Sequence, residues 1–597
     1  MKVPHFSRFI FLGIVFGVVG LAIVAQMVRI QSSSAADQLR AQSEMYQGEY
    51  RTVYPERGNI YDRWGHLLAG NETVYEIGVD LQMIGNRDAD PEAIAATLAS
   101  VLGTDYVTIR DAARRPYIEG QSVYAVLTDF VTPEKVDELL RIKKQYADQA
   151  ANARRSKKPN PTLNALTFTP HLKRSYPEHT LASNVLGFFS YLDRDKGRGY
   201  FGVEEKYNDL LAGTPLKVYI PFDPNEAQDI PEVPPGSSLI LTIDREIQTS
   251  VEKILDEALV STGAEAGTII VTDPKNGEIL GMATTPRLDL NEYWKYAELF
   301  PNPTPYNRAV GTTYEPGSVF KVLTMASALD NGSVTPETPF LDTGVFEIGG
   351  AYVHNWDGGA WGPQDMVGCM QHSLNVCLAW VASQLGPTNF YNYLQTFGIG
   401  HTTGIDLAGE ATYPIRLPGD GQWLEMDLGT NSFGQGIAVT PIQMVMAVSA
   451  LANEGKMMAP HMLHAMVNNG RQYDTPPQVV GTPIKPETAR TITQMLSRSL
   501  ESESSDALIE GYRVAGKTGT AEIPTEYGYS SDLTNASFVG WGPIDNPRFL
   551  VYVWLERPRA SIWGSVVAAP VFRDVVKSLV VLMDIPPDEI RQQLNGQ

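Results

Sequence analysis

The stretch TTYEPGSVFKVLTMASALDNG, residues 312–332, decides how this chain reads. It places Pro316-Gly317 just before Ser318, Lys321 three residues later, and Asn331-Gly332 at its end. Pro tolerates the first turn of a helix and Gly supplies a left-handed stop, so the stretch predicts a helix with Ser318 at its N-terminus. Positions i and i+3 share a helix face, which puts Lys321 one turn above Ser318. Free N–H groups and the macrodipole at that end favour a developing oxyanion. A structural serine cap beneath a solvated lysine has the same letters. The spacing also recurs at Ser250-Val251-Glu252-Lys253, inside a predicted helix with no Gly or Pro to expose the serine.

Two further motifs bear on the choice. In HSLNVC, Ser373 and Asn375 flank Leu374. A hydroxyl and an amide two residues apart on an extended loop can face one way, the first to relay protons and the second to hold a peptide amide. In RVAGKTGTAEIP, 513–524, Lys517-Thr518-Gly519-Thr520 reads as part of an edge strand. Thr518 and Thr520 then share a face, and Gly519 leaves room for a substrate backbone to add alongside. Lys517 and a threonine hydroxyl suit a carboxylate. If Lys517 and Lys321 enter one cavity, burial and like charge depress an ammonium pKa, and a neutral lysine can serve as base.

The whole chain sets the frame. Its 597 residues allow several domains, with 43% hydrophobic residues to fill cores. A net charge of −21 argues against a nucleic-acid partner. The basic cluster Arg154-Arg155-Ser156-Lys157-Lys158 reads as a solvated loop. Phe9–Val28, FIFLGIVFGVVGLAIVAQMV, carries no charge and as a helix spans about 30 Å, the thickness of a bilayer core. It reads as an uncleaved anchor in preference to a signal peptide. Lys2 and Arg8 place the N-terminal tail in the cytoplasm and the remainder outside, as a single-pass protein. The two cysteines, Cys369 and Cys377, read as buried thiols, with a bridge across a helix–loop–helix as the alternative. No histidine spacing suggests a metal, and no cofactor is expected.

Composition divides the chain into a tail and anchor (1–30), a mixed α/β region (31–220), a Pro- and acid-rich linker (221–237), a second domain (238–582) and a C-terminal tail (583–597). A polar stretch from Ser32 to about Glu49 reads as a juxtamembrane helix or stalk. In the first region, 74–81 and 122–127 read as strands and 91–103 and 132–146 as helices. In the second, 267–273 and 277–284 read as a hairpin, 536–542 and 548–556 as two more strands, with helices between. That pattern predicts an α+β fold with an antiparallel sheet flanked by helices.

Ser-x-x-Lys, Ser-x-Asn and Lys-Thr-Gly, in that order, resemble the motif set of serine β-lactamases and penicillin-binding proteins. YNRAVGTTYEPGSVFK, GQGIAVTPIQ (434–443), KTGTAE, and, in the first region, ERGNIYDRWG (56–65), RSYPE (174–178) and GVEEKYNDLLAG (202–213) are similar to class B penicillin-binding proteins, the monofunctional transpeptidases. The resemblance implies a pedestal domain of dimerisation type under a transpeptidase domain. It implies Ser318 as nucleophile on a D-Ala-D-Ala stem peptide, Lys321 as its base, and Ser373 as proton relay. Asn375 is implied on the donor amide, the N–H groups of Ser318 and Thr520 as the oxyanion hole, and Lys517, Thr518 and Thr520 on the terminal carboxylate. β-Lactams are implied as covalent inhibitors, and a polytopic membrane glycosyltransferase as partner. Leu374 departs from the Asp of class A β-lactamases. No C-terminal extension module is expected. A β-lactam sensor, a β-lactamase-like hydrolase and a non-catalytic cell-wall scaffold are the alternatives. Arg57, Arg174 and Glu204 are expected to pair within or between domains. The pedestal is expected to act as a spacer and docking platform, dispensable for acylation if the rest folds.

Overall fold

The computed structural model describes residues 6–33, 48–119, 121–152, 162–193, 196–221, 233–503, 505–525 and 528–595. Most of the expected juxtamembrane stalk, the basic cluster at 154–158 and most of the linker lie outside the described residues. The chain packs as two units, residues 1–56 with 213–236, and residues 57–212 with 237–597. In the first unit, the helix Phe6–Gln31 is long and apolar enough to cross a membrane. The strand Gly48–Val53 pairs antiparallel with Leu216–Pro221 in the same unit.

The second unit is built on two sheets. One runs Ile279–Thr284, Ala266–Thr272, Phe549–Glu556, Gly528–Gly542, Ala515–Thr525, antiparallel throughout. Side chains alternate across its pleat. Ile269, Val271, Val553 and Leu555 face the helices Arg245–Thr262 and Ala569–Leu582, while Ile270, Tyr552 and Trp554 join the core on the other side. That second core is filled by apolar helices, Lys321–Asn331, Asn375–Leu385 and Pro441–Ala452. Both faces are therefore covered, and the strands read as nearly continuous hydrophobic runs such as FLVYVWLE. The Lys-Thr-Gly segment lies on the edge strand, as its sequence suggests.

The other sheet joins the two sequence regions. Its order is Arg471–Asp474, Leu463–Asn468, Ser238–Leu241, Ile60–Tyr61, Leu67–Asp80, Tyr124–Val131, with Leu166–Ser175 also on Leu67–Asp80. Ile60–Tyr61 runs parallel to Ser238–Leu241, and the other pairs are antiparallel. The main core likewise holds Ile60, Leu68, Val185, Val203 and Leu211 together with Leu239, Leu241 and Ile270. A smaller core is closed by Pro91–Leu102, Tyr106–Ala113 and Pro133–Asn152.

Buried at this junction, Glu204 accepts from Arg57 Nε at 2.8 Å, from Arg174 Nε at 2.8 Å and from the Tyr176 hydroxyl at 3.2 Å. Arg174 also donates to the Gly58 carbonyl at 2.8 Å. The three charged residues that the sequence singled out thus pair with one another. Burial by itself pushes the Glu204 carboxyl up, but Arg174 and Arg57 outweigh it and hold the group below its ordinary value. The last segment is more ordered than a tail. Asp588–Asn595 is a helix, and Asp588 accepts from the Arg513 N–H at 2.8 Å.

Candidate active site

Ser318 opens the helix at 321 through a tight 3-10 turn, Gly317–Phe320, and the helix runs to Asn331 with Gly332 left-handed at its stop. Gly317 has φ +59 and Gly434 has φ +81, and the Gly317 N–H donates to the Gly434 carbonyl at 3.0 Å. A Cβ on Gly434 would stand 2.3 Å from the Gly317 oxygen. The GQG segment therefore buttresses the serine's turn from behind.

Lys321 is fully buried one turn on. Its Nζ donates to the Ser373 carbonyl and to Asn375 Oδ1, each at 2.7 Å, and lies 3.1 Å from Ser373 Oγ. Burial, reinforced by the Lys517 ammonium, holds Lys321 well below its ordinary value. Nζ thus has three oxygens to donate to, and the depressed pKa favours the neutral amine, which can give two of these bonds and keep a lone pair for a proton. Among the described residues no hydrogen bond joins Lys321 Nζ to Ser318 Oγ, a contact that often tightens only once substrate is bound.

Ser373 sits in a turn, not on an extended loop. The helix Met366–Gln371 ends, Ser373 takes φ 52, and a new helix begins at Asn375. That left-handed conformation is costly for a non-glycine residue and persists only where the surroundings fix it. Cys369 and Cys377, one on each helix, form a disulfide that staples the turn. The favoured reading of two separate thiols is thereby corrected. The turn brings the Cα atoms to 6.0 Å, within bonding reach, and sequence spacing alone could not show it. Leu374 is buried, which accounts for an apolar residue between the two polar ones. Asn375 Nδ2 donates to the His354 carbonyl at 3.2 Å, leaving one N–H for a ligand.

On the edge strand the side chains alternate. Lys517 and Gly519 are buried, whereas Thr518 and Thr520 are partly exposed. The two threonines line the same cavity as Ser318, Ser373 and Asn375, about 650 Å³ in volume. Burial lowers Lys517 to about 8, against the nearby Glu503 carboxylate, which raises it. Its Nζ lies 3.3 Å from Thr518 Oγ1. Thr520 Oγ1 accepts from the Gly564 N–H at 3.0 Å, so its own proton remains to donate. Gly519 does not make room for substrate in the way expected. A Cβ there would meet Ser537 Oγ at 2.3 Å and Val319 Cγ1 at 2.9 Å, so the glycine lets strand and serine turn pack closely.

Sequence reasoning missed several walls of this cavity. Trp356 and Trp563 meet edge to face with centroids 5.1 Å apart, and Glu503 stands beside Lys517. Asn355 accepts from the Val376 N–H at 3.2 Å and so caps the helix that carries Asn375. None lies in a motif. Only the tryptophans, large and apolar in polar stretches, give a signal in the letters.

Residues 267–577 match the penicillin binding protein transpeptidase domain, and residues 52–229 match the penicillin-binding protein dimerisation domain. The chain belongs to the penicillin-binding protein transpeptidase family. Among relatives, it is 31% identical to stage V sporulation protein D of Bacillus subtilis over 551 residues, 89% of this chain and 79% of that one. It is 29% identical to the probable peptidoglycan D,D-transpeptidase PbpC of Pseudomonas aeruginosa, over 70% of this chain and 72% of the relative. Penicillin-binding protein 2X of Streptococcus thermophilus shares the fold, with TM-score 0.73 at 22% identity over 89% of this chain and 80% of that structure. So does penicillin-binding protein 3 of Mycobacterium tuberculosis, solved with aztreonam, with TM-score 0.66 at 24% identity over 90% and 98%. Within the family, the α+β transpeptidase fold and the dimerisation-type segment of this chain are both accounted for.

Proposed function

We propose that this chain is a membrane-anchored acyl-serine D,D-transpeptidase that cross-links peptidoglycan stem peptides and is acylated by β-lactams. The observation that carries it is the convergence of Ser318, Ser373, Asn375, Thr518 and Thr520 on one cavity beside two buried lysines of lowered pKa.

In this reading Ser318 Oγ attacks the carbonyl of the penultimate D-Ala and passes its proton to neutral Lys321. A C–O bond forms, and the C–N bond to the terminal D-Ala breaks. The leaving amine takes a proton from Ser373, which is replenished from Lys321 at 3.1 Å. The N–H groups of Ser318 and Thr520 bear the oxyanion. Lys517, Thr518 and Thr520 hold the terminal carboxylate, and Asn375 the donor amide. The acceptor amine then attacks the ester. A C–N bond forms, the C–O bond breaks, and Ser318 Oγ regains a proton from the amine.

The orientation and the partner complete the proposal. Lys2 and Arg8 before the apolar helix put the tail in the cytoplasm and the body outside. The Cys369–Cys377 bridge supports an oxidising compartment for the catalytic part. A polytopic membrane glycosyltransferase supplies the glycan strands. The sequence divisions at 30, 220, 237 and 582 serve as proposed domain limits.

Fluorescent penicillin tests the assignment. Ser318→Ala is expected to abolish covalent labelling of the full chain. Ser250→Ala is expected to keep it, because Ser250 lies mid-helix with its hydroxyl 2.7 Å from that of Ser578. Labelling that survives Ser318→Ala sinks the nucleophile. A wild-type chain that never labels points to a scaffold, and one that sheds hydrolysed penicillin within seconds points to a β-lactamase-like hydrolase.

A further inference from the structure

Two exposed tryptophans stand at one side of the serine's cavity. Trp356 lines it and is 50% exposed, and Trp361, 36% exposed, lies beyond it across His372. Neither ring is loose. Trp356 Nε1 donates to the His372 carbonyl at 3.1 Å, and Trp361 Nε1 to Asp357 Oδ2 at 3.1 Å. Trp361 also stacks on the His372 ring, with centroids 4.2 Å apart. The turn that carries both is gathered round the buried Asp342, whose Oδ2 accepts from the Asn355 side-chain amide at 2.7 Å and from the Trp361 N–H at 2.8 Å. Both indole N–H groups are thus already bonded, and what the two residues leave open is ring surface. Apolar faces held rigidly in water are costly, and they mark a binding surface.

The position of the rings follows from the edge strand. Thr520 Oγ1 accepts from the Gly564 N–H at 3.0 Å. Thr534, which pairs with Glu522, donates to the Ile562 carbonyl at 3.0 Å. Trp563, between Ile562 and Gly564, therefore stands beside the 520–522 segment, and Trp356 packs edge to face on it. In the transpeptidase reading the donor's terminal carboxylate sits at Lys517 and Thr518 and its scissile carbonyl at the Thr520 N–H. The rest of the donor then runs on past Thr520 toward Glu522, the end where the tryptophans lie. An extended residue covers about 3.3–3.6 Å, so about three residues upstream of the bond bring the donor's far end about 10 Å beyond it.

We propose that Trp356 and Trp361 form a shelf that stacks a pyranose ring of the glycan strand to which the donor peptide is attached. The inference rests on the transpeptidase reading above. A pyranose has an apolar face of C–H groups, which meets the negative face of an indole, and a rim of hydroxyls, which needs polar neighbours. The rim is supplied by exposed Asp357, whose two carboxylate oxygens can each accept a further bond, and by Gln371 and His354 on the cavity wall. The shelf makes the sugar part of the recognised donor, so a glycan-borne stem is preferred to a free peptide.

The test uses the full chain and two donors. One is a free pentapeptide ending in D-Ala-D-Ala, and the other is the same peptide carrying an N-acetylglucosaminyl-N-acetylmuramyl disaccharide at its N-terminus. D-Ala release gives kcat/KM for each, and the readout is their ratio. Wild type is expected to favour the disaccharide donor by at least about fivefold, within what two stacked rings supply. Trp361→Ala and Trp356→Ala are each expected to bring the ratio to within about twofold of one, and Trp361→Phe to keep part of the preference. If one alanine variant does not fold, the other decides, since the ratio cancels any general loss of activity. A wild-type ratio near one overturns the shelf, as does a wild-type preference that persists in a folded alanine variant. Equal losses on both donors would seat a peptide side chain on the rings and overturn the sugar. In each of these cases D-Ala release from the free peptide leaves the transpeptidase reading standing. A wild-type chain that releases no D-Ala from either donor overturns both.

Discussion

At the scale of single residues, the proposed chemistry turns on two lysines that burial treats differently. Lys321 has both burial and the Lys517 charge against its ammonium, whereas Lys517 has Glu503 on its side. The first suits a proton acceptor and the second an anion holder. The pH profile of acylation by an anionic penicillin follows from the signs. Lys321 becomes more effective as the pH rises through its depressed value. Lys517 is charged below about 8 and loses its proton above it. The second-order rate constant is therefore expected to rise, level, and then fall above about pH 8, approaching tenfold per unit. In Lys517→Arg the charge persists at every pH, so the falling limb should vanish even if the rate is lower throughout. A wild-type rate still climbing at pH 9.5 in stopped-flow labelling would refute the division of roles. Lys321→Ala, which removes the base proposed for Ser318, is expected to slow acylation by about 10²–10⁴-fold. A loss under tenfold would name another group as the base.

At the scale of elements, the site is an assembly of ends. The serine's 3-10 turn, the turn at Ser373 and the edge strand at Lys517 meet because each is held from behind. The bridge between Cys369 and Cys377 holds the second of these. It closes a short loop, and Cys377→Ser or reduction is expected to cost about 2–3 kcal/mol by the loop-entropy argument. Because Ser373 is held at φ 52 within that loop, the acylation rate should fall along with the denaturation midpoint. Unchanged acylation after mass-verified reduction would show that packing alone fixes the turn. Gly519→Ala tests the contact between strand and serine turn. A methyl placed against Ser537 and Val319 must move one of them, with an expected cost of about 1–3 kcal/mol and slower labelling.

At the scale of the whole molecule, packing runs through the boundary that the sequence draws near 237. Ser238–Leu241 lies between Ile60–Tyr61 and Leu463–Asn468, and one core holds residues from both sides. A chain beginning at Ser237 would expose that strand edge and the apolar surface around Leu239 and Leu241. We expect it to aggregate and to label poorly, in contrast to the dispensable pedestal that sequence alone suggests. A soluble fragment that labels at the full-length rate would restore the simpler view. Glu204→Gln probes the same junction more gently. Removing the charge strands Arg57 and Arg174 in the interior, at an expected cost of about 3–5 kcal/mol in denaturant unfolding. The sign in pH follows from the lowered value of Glu204. Its contribution is in place above about pH 4.3, the ordinary range of an unfolded glutamate, and is lost as the pH falls through the lower folded value. Wild type should therefore converge on Glu204→Gln in acid.

Features that depend on local order alone are legible in the letters. The run Phe9–Val28 makes an apolar helix because nothing in it is charged. The helix at 321 stops at Gly332 because glycine accepts the left-handed cap. The hairpin from 266 to 284 follows from alternation and turn residues. The candidates Ser318, Lys321, Ser373, Asn375, Lys517, Thr518 and Thr520 were legible because three motifs recur in a fixed order, which needs no distances. Other features depend on which remote segments touch, and these emerge only in the folded chain. Lys321 bonds to Ser373 and Asn375, more than fifty residues away, and its depressed pKa comes from burial that no local pattern records. The Cys369–Cys377 bond needed the turn that brings the two helices together. The pedestal's union with the catalytic part rests on the parallel pair Ile60–Tyr61 and Ser238–Leu241, far apart in sequence. Backbone pairing of this kind leaves no mark on residue type, so it becomes visible only once the chain has folded.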